Sequence, residues 1–126
     1  MSLRQWKAAV VQSEPCWFDK KKSVEKTLML IDEAADNGAS LVAFPEVWIP
    51  GYPNYIWTGN FKQNKKQNGN YINNSISAYG PEMIEIRKLA ARRGIFVGLG
   101  FSELDKSSCY MSQVLISDEG EVLIHR

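Results

Sequence analysis

Two apolar runs, "WKAAVV" (6–11) and "ASLVAF" (39–44), flank a segment whose apolar residues recur at helical spacing. Strand, helix, strand in that order is the strongest constraint on the fold. Two parallel strands cannot be joined by a tight turn, so the helix must serve as the crossover. Val24, Leu28, Ile31 and Ala35 fall on one face of that helix. Asp19 suits its N-cap, the helix should run to about Asn37, and Gly38 suits the left-handed position that ends it. Both strand runs are apolar on successive residues, which predicts cover on both faces. Lys20, Lys21 and Lys22 sit in the first turn, where the helix dipole disfavours cations. They read as a solvated face.

The rest of the chain continues the α/β pattern. Pro81 opens a second helix, with Glu82 and Glu85 near its start, Arg92 and Arg93 near its end, and Gly94 as its stop. "IFVGLGFSEL" is a third strand whose glycines mark close backbone approach. "CYMSQVLIS" is a fourth, Asp118 to Gly120 a tight turn, and "EVLIHR" a fifth. Between them, residues 58–80 are rich in Asn, Lys and Gln and weak in periodicity, which predicts a mobile insert. Phe61, Tyr71, Ile72, Ile76 and Tyr79 imply some docking there, with a short helix over Tyr71 to Ala78.

Several function classes are disfavoured. A length of 126 residues fits one domain. A net charge of +1 argues against a nucleic-acid surface. No apolar run reaches bilayer length, and the start, "MSLRQWKAAVVQ", lacks the pattern of a secretory signal. The reading is a soluble, cytoplasmic protein. Cys16 and Cys109 make no disulfide framework and read as free thiols. The Asn73-Asn74-Ser75 glycosylation pattern has no secretory context. A flavodoxin-like ligand domain would need a phosphate loop, and no Gly-rich turn follows the first strand.

One carboxylate stands in an unusual place. In "LVAFPEVWIPGYPNYIW" (41–57), Glu46 follows the end of the second strand. Ligands in parallel α/β sheets bind at that end. Pro45 restricts its own backbone and biases Phe44 toward an extended form, so the origin of the carboxylate is pinned. Trp48, Tyr52, Tyr55 and Trp57 are placed to wall a small apolar pocket. Such walls would disfavour the charged form of Glu46 and raise its proton affinity, as a general base requires. The alternative is a solvated loop glutamate, the commoner fate of a single Glu.

"VAFPEVWIPGYP" resembles the first signature of the carbon–nitrogen hydrolases, in their nitrilase and cyanide hydratase branch. "AAVVQSEPCWFD", "LIDEAADNGASLVAFPE" and "GFSELDKSSCYMSQVLISDEGEV" extend the resemblance over nearly the whole chain. It implies an α-β-β-α sandwich, of which residues 1–126 would be the N-terminal half, with subunits pairing through helices into a homo-oligomer. It also implies a Glu-Lys-Cys triad that turns nitriles into acid and ammonia, or hydrogen cyanide into formamide, without metal or organic cofactor. Glu46 matches the glutamate. Tyr52, in G-Y-P, matches a tyrosine lining the substrate pocket. The family lysine belongs to an R-K-x-K-P segment beyond the strand that here reads "GEVLIHR", and the cysteine to a later C-W-E-N stretch. Cys16 and Cys109 lie in other motifs and read as structural thiols. His125, near a strand end, has no matched partner. The chain is therefore expected to be part of a nitrilase-type enzyme, inactive alone and either poorly soluble or in need of a partner. The reading from another class is a truncated, non-catalytic assembly subunit.

Overall fold

A computed structural model describes residues 4–126; Met1 to Leu3, where the stretch read for a secretory signal begins, lie outside them. The elements run β1 (Ala8–Val10), α1 (Lys20–Asp36), β2 (Leu41–Ala43), a short 3-10 turn (Asn54–Trp57), α2 (Phe61–Asn73), α3 (Pro81–Arg93), β3 (Phe96–Asp105), β4 (Ser108–Ile116) and β5 (Val122–His125). The strands form one sheet in sequence order. β1, β2 and β3 are parallel; β4 and β5 are added antiparallel.

The helix signals act as read. Asp19 caps α1 by accepting from the Lys22 amide at 3.0 Å, and Gly38 follows at a φ of 79°. Pro81 starts α3 and Gly94 ends it in the left-handed conformation. The lysines at the start of α1 are more than a solvated face. Lys20 pairs with Glu82 of α3 at 3.3 Å, and its amide donates to Asn74 Oδ1 at 2.9 Å. The cation is thus answered by a carboxylate from the neighbouring helix.

The strand registers sort side chains into two faces. Ala9, Val42, Val97, Ile116 and Val122 form a row across all five strands. This row packs with Val24, Ile31 and Ala34 of α1 and Met83, Ile86, Leu89 and Ala90 of α3 into the core. The opposite row is Val10, Ala43, Gly98, Leu115 and Ile124, and its outer members are open: Val10 is 81% and Ile124 63% exposed. The expectation of cover on both faces is therefore corrected. Among the described residues, α1 and α3 lie side by side on one face only. The result is one α layer on one β layer.

Residues 58–80 also depart from the reading. Phe61–Asn73, inside the stretch read as an insert, is a continuous helix, and Tyr71 belongs to its last turns rather than starting a later one. Asn60 and Gln63 form a reciprocal capping box, each side chain accepting from the other's amide at about 3 Å. Beyond α2, Ile76 joins the edge of β3, its amide donating to Ser102 at 3.0 Å. Among the described residues no helix is long and apolar enough to cross a membrane.

Candidate active site

β2 stops at Ala43 because the chain arches over β3. Phe44 still donates to the Gly98 carbonyl at 2.8 Å, and Ile49 rejoins the strand opposite Phe101. Between them Pro45, Glu46 and Val47 cross Gly100 at close range. A Cβ on Gly100 would lie 2.4 Å from the Pro45 oxygen and 2.9 Å from the Glu46 Cα. Gly100 shares the face of Gly98, so this crossing lies on the side of the sheet opposite α1 and α3. The return is sharp. Val47 has a φ of 47°, rare for a β-branched residue and costly by about 1–3 kcal/mol. Val47, Trp48 and Ile49 are buried behind it. Trp48 packs on Phe44 and donates to Thr27 Oγ1 of α1 at 2.8 Å. The arch is over-determined on both sides, and Glu46 sits at its crest.

The aromatic enclosure expected for Glu46 does not form. Glu46 is exposed, Trp48 is a core residue, and Trp57 is 74% exposed. The turn at Val47 sends the following side chains into the helix-side core and leaves the carboxylate outside. Tyr52 is half-buried, and Tyr55 joins Phe18 and Tyr71 in an edge-to-face cluster with centroids 5.8–6.4 Å apart. This cluster ties the loops after β1 and β2 together. The Phe18 amide donates to Pro50 at 2.9 Å, and Gly51 leaves room for the Trp17 ring. Burial pushes the Tyr71 hydroxyl above its ordinary 10.0, partly offset by a hydrogen bond with Ser102; burial, and then Cys109, raise Tyr55. Both phenols stay neutral at neutral pH and can donate.

Sequence reasoning missed a second carboxylate. Glu103, inside β3, is 2% exposed. It hydrogen-bonds His125 Nε2 and pairs with Arg126 at 3.2 Å. An acid within the strand run "GFSEL" was the available signal, because a buried carboxylate requires a cation or several donors. Cys16 and Cys109 are free; the Cys109 thiol lies 3.8 Å from the Ser75 hydroxyl. Among the described residues no group of His, Cys, Asp and Glu is arranged to hold a metal ion.

The sequence matches the carbon-nitrogen hydrolase family over residues 7–126. It is 48% identical to a cyanide hydratase of Stereum hirsutum over all 126 residues, and 50% identical to one of Botryotinia fuckeliana over 124. These alignments cover 34% and 33% of the relatives, so the chain spans about a third of the length of the curated relatives it matches. Two structures of an amidase from Nesterenkonia sp. superpose with TM-scores of 0.66 and 0.68 at 20% and 19% identity. They cover 95% and 97% of this chain and 41% and 43% of the amidase, a likeness of fold. The family match runs from before β1 through β5, and the sheet, helices and arch are those of one continuous unit; the chain belongs to the carbon-nitrogen hydrolase family.

Proposed function

We propose that this chain supplies the general base and part of the pocket wall of an enzyme that adds water across a carbon–nitrogen triple bond. Hydrogen cyanide is the favoured substrate and formamide the product. The observation that carries this is 48–50% identity, along essentially the whole chain, to cyanide hydratases. In this reading residues 1–126 are one part of a carbon–nitrogen hydrolase domain. The lysine and the cysteine come from segments outside the chain.

Glu46 takes the proton of the cysteine thiol, the thiolate adds to the nitrile carbon, and the proton passes from Glu46 to the nitrogen, giving a thioimidate and restoring the carboxylate. The lysine ammonium stabilises charge on the substrate nitrogen. Glu46 then removes a proton from water as it attacks the same carbon. If the tetrahedral intermediate expels the thiolate, the product is the amide. If it expels ammonia, a thioester remains, and its hydrolysis gives the acid. The amidase from Nesterenkonia sp. AN1 has an active-site cysteine, which supports a thiol nucleophile on this fold. The fixed arch of residues 45–47 supports Glu46 as the base, because a proton acceptor must be held within hydrogen-bond reach of the group it serves. Tyr52 lines the pocket for the small substrate. Subunits of the enzyme associate through their helical faces, where Met29 of α1 and Ile84 of α3 are exposed.

The test uses a chain continued through the lysine and cysteine segments. Glu46→Gln keeps the shape of the side chain and loses the base. Turnover of cyanide is expected to fall ~10²–10⁴-fold with unchanged thermal unfolding. Near-normal turnover with a lowered melting temperature would overturn the assignment. Formamide without ammonia supports the hydratase; ammonia with a carboxylic acid from a nitrile panel supports the nitrilase reading instead. A well-folded, inactive wild-type chain that joins active relatives supports the assembly subunit.

A further inference from the structure

We propose that Glu103 is a positioning residue, holding the end of β5 so that the segment following it is presented at a fixed place. The inference rests on the proposed triad, whose lysine lies just past this strand. Glu103 projects from β3 with its side chain 3% exposed, a cost that only paired donors offset. Both donors come from the end of β5. His125 meets one carboxylate oxygen through Nε2, and Arg126 meets the other at 3.2 Å. The two strands are not neighbours, because β4 runs between them. The carboxylate therefore spans the sheet and fixes a strand end that backbone pairing holds from one side only. Tyr79 closes the far side of the imidazole, its ring edge-on at 5.8 Å. The Arg126 guanidinium lies over Tyr110 at 4.2 Å and reaches Asp105 at 3.7 Å. Two consecutive residues are thus locked immediately before the segment in question. This network takes no part in the chemistry assigned to Glu46, and it lies on the other face of β3.

In the continued chain, Glu103→Gln keeps the volume and removes the charge. The expected result is a fall in kcat of roughly 10²-fold, the scale of a misplaced catalytic group, with KM little changed. His125→Gln retains a donor near Nε2 and should keep most of the turnover, whereas His125→Leu should lose it. A merely structural role would lower the melting temperature in proportion to the substitution and leave kcat per folded enzyme at the wild-type value; that result would overturn the proposal. If Glu103→Gln does not fold, the His125 pair decides: equal kcat in His125→Gln and His125→Leu would also overturn it. Glu46→Gln is run in parallel. Loss there with normal kcat in Glu103→Gln refutes the positioning role alone, and retained turnover in Glu46→Gln removes both readings.

Discussion

Gly100 shows how much of a site can depend on an absent side chain. The arch that carries Glu46 rests on its Cα, closer than any Cβ would allow. Gly100→Ala must push Pro45 and Glu46 away from β3 or bend the strand. The opposing atoms are backbone, so they cannot rotate aside. We expect a loss of about 1–3 kcal/mol, the usual range for overpacking, read as a lower midpoint in urea. We also expect a larger loss of turnover in the continued chain, because the proposed base, Glu46, moves with the arch. An alanine variant with wild-type stability would show that the contact is softer than its geometry. Val47 makes the same point from the other side: its strained backbone persists because its side chain is fully buried.

At the scale of elements, α2 is held differently from α1 and α3. Those two bury whole faces against the sheet, whereas α2 buries only Tyr71. Its local supports are the Asn60–Gln63 capping box and the contacts of Tyr71 with Phe18 and Tyr55. Asn60→Ala should therefore cost about 1 kcal/mol in the helix itself. Because α2 shares little core with the rest, that cost should appear as faster amide exchange over residues 62–66 rather than as a lower global melting temperature. Uniform acceleration across α1 and α3 as well would show that α2 unfolds only with the whole molecule. The composition is polar, and capping with one anchored tyrosine is what supports a helix there.

The whole molecule has one sealed face and one open face. The core row is covered by α1 and α3, while Val10, Met111 and Ile124 stand exposed on the other side of the sheet. Apolar surface of this kind normally marks a contact. The 126-residue chain by itself is expected to associate at micromolar concentration, visible as a mass above the monomer's 14.3 kDa in light scattering. Aspartate at Ile124 should shift the distribution toward monomer by placing a charge on that face. A compact monomer for the unsubstituted chain would mean the open face is tolerated in water.

The order of strands and helices was legible from local chemistry: apolar runs, helical spacing, Asp19, Pro81 and the glycines after α1 and α3 each act within a few residues. The family was legible too, because the signature around Glu46 is a contiguous stretch, and the family match agrees with it. What sequence left undecided was every relation between distant segments. Continuous apolarity in β1 and β2 does not say whether a second layer is present, because a buried face and an open apolar face use the same residues. Gly100 announced a close approach without naming the arch that makes it. Trp48 read as a pocket wall and is a core residue, since a single turn at Val47 reverses the direction of the side chains that follow. Glu103 and His125 are 22 positions apart, and only the stacking of β3, β4 and β5 brings the acid to its partner. Local propensity is written in neighbouring residues; burial, ion pairing and the exposure of Glu46 depend on which strands lie side by side, and that is settled by tertiary packing.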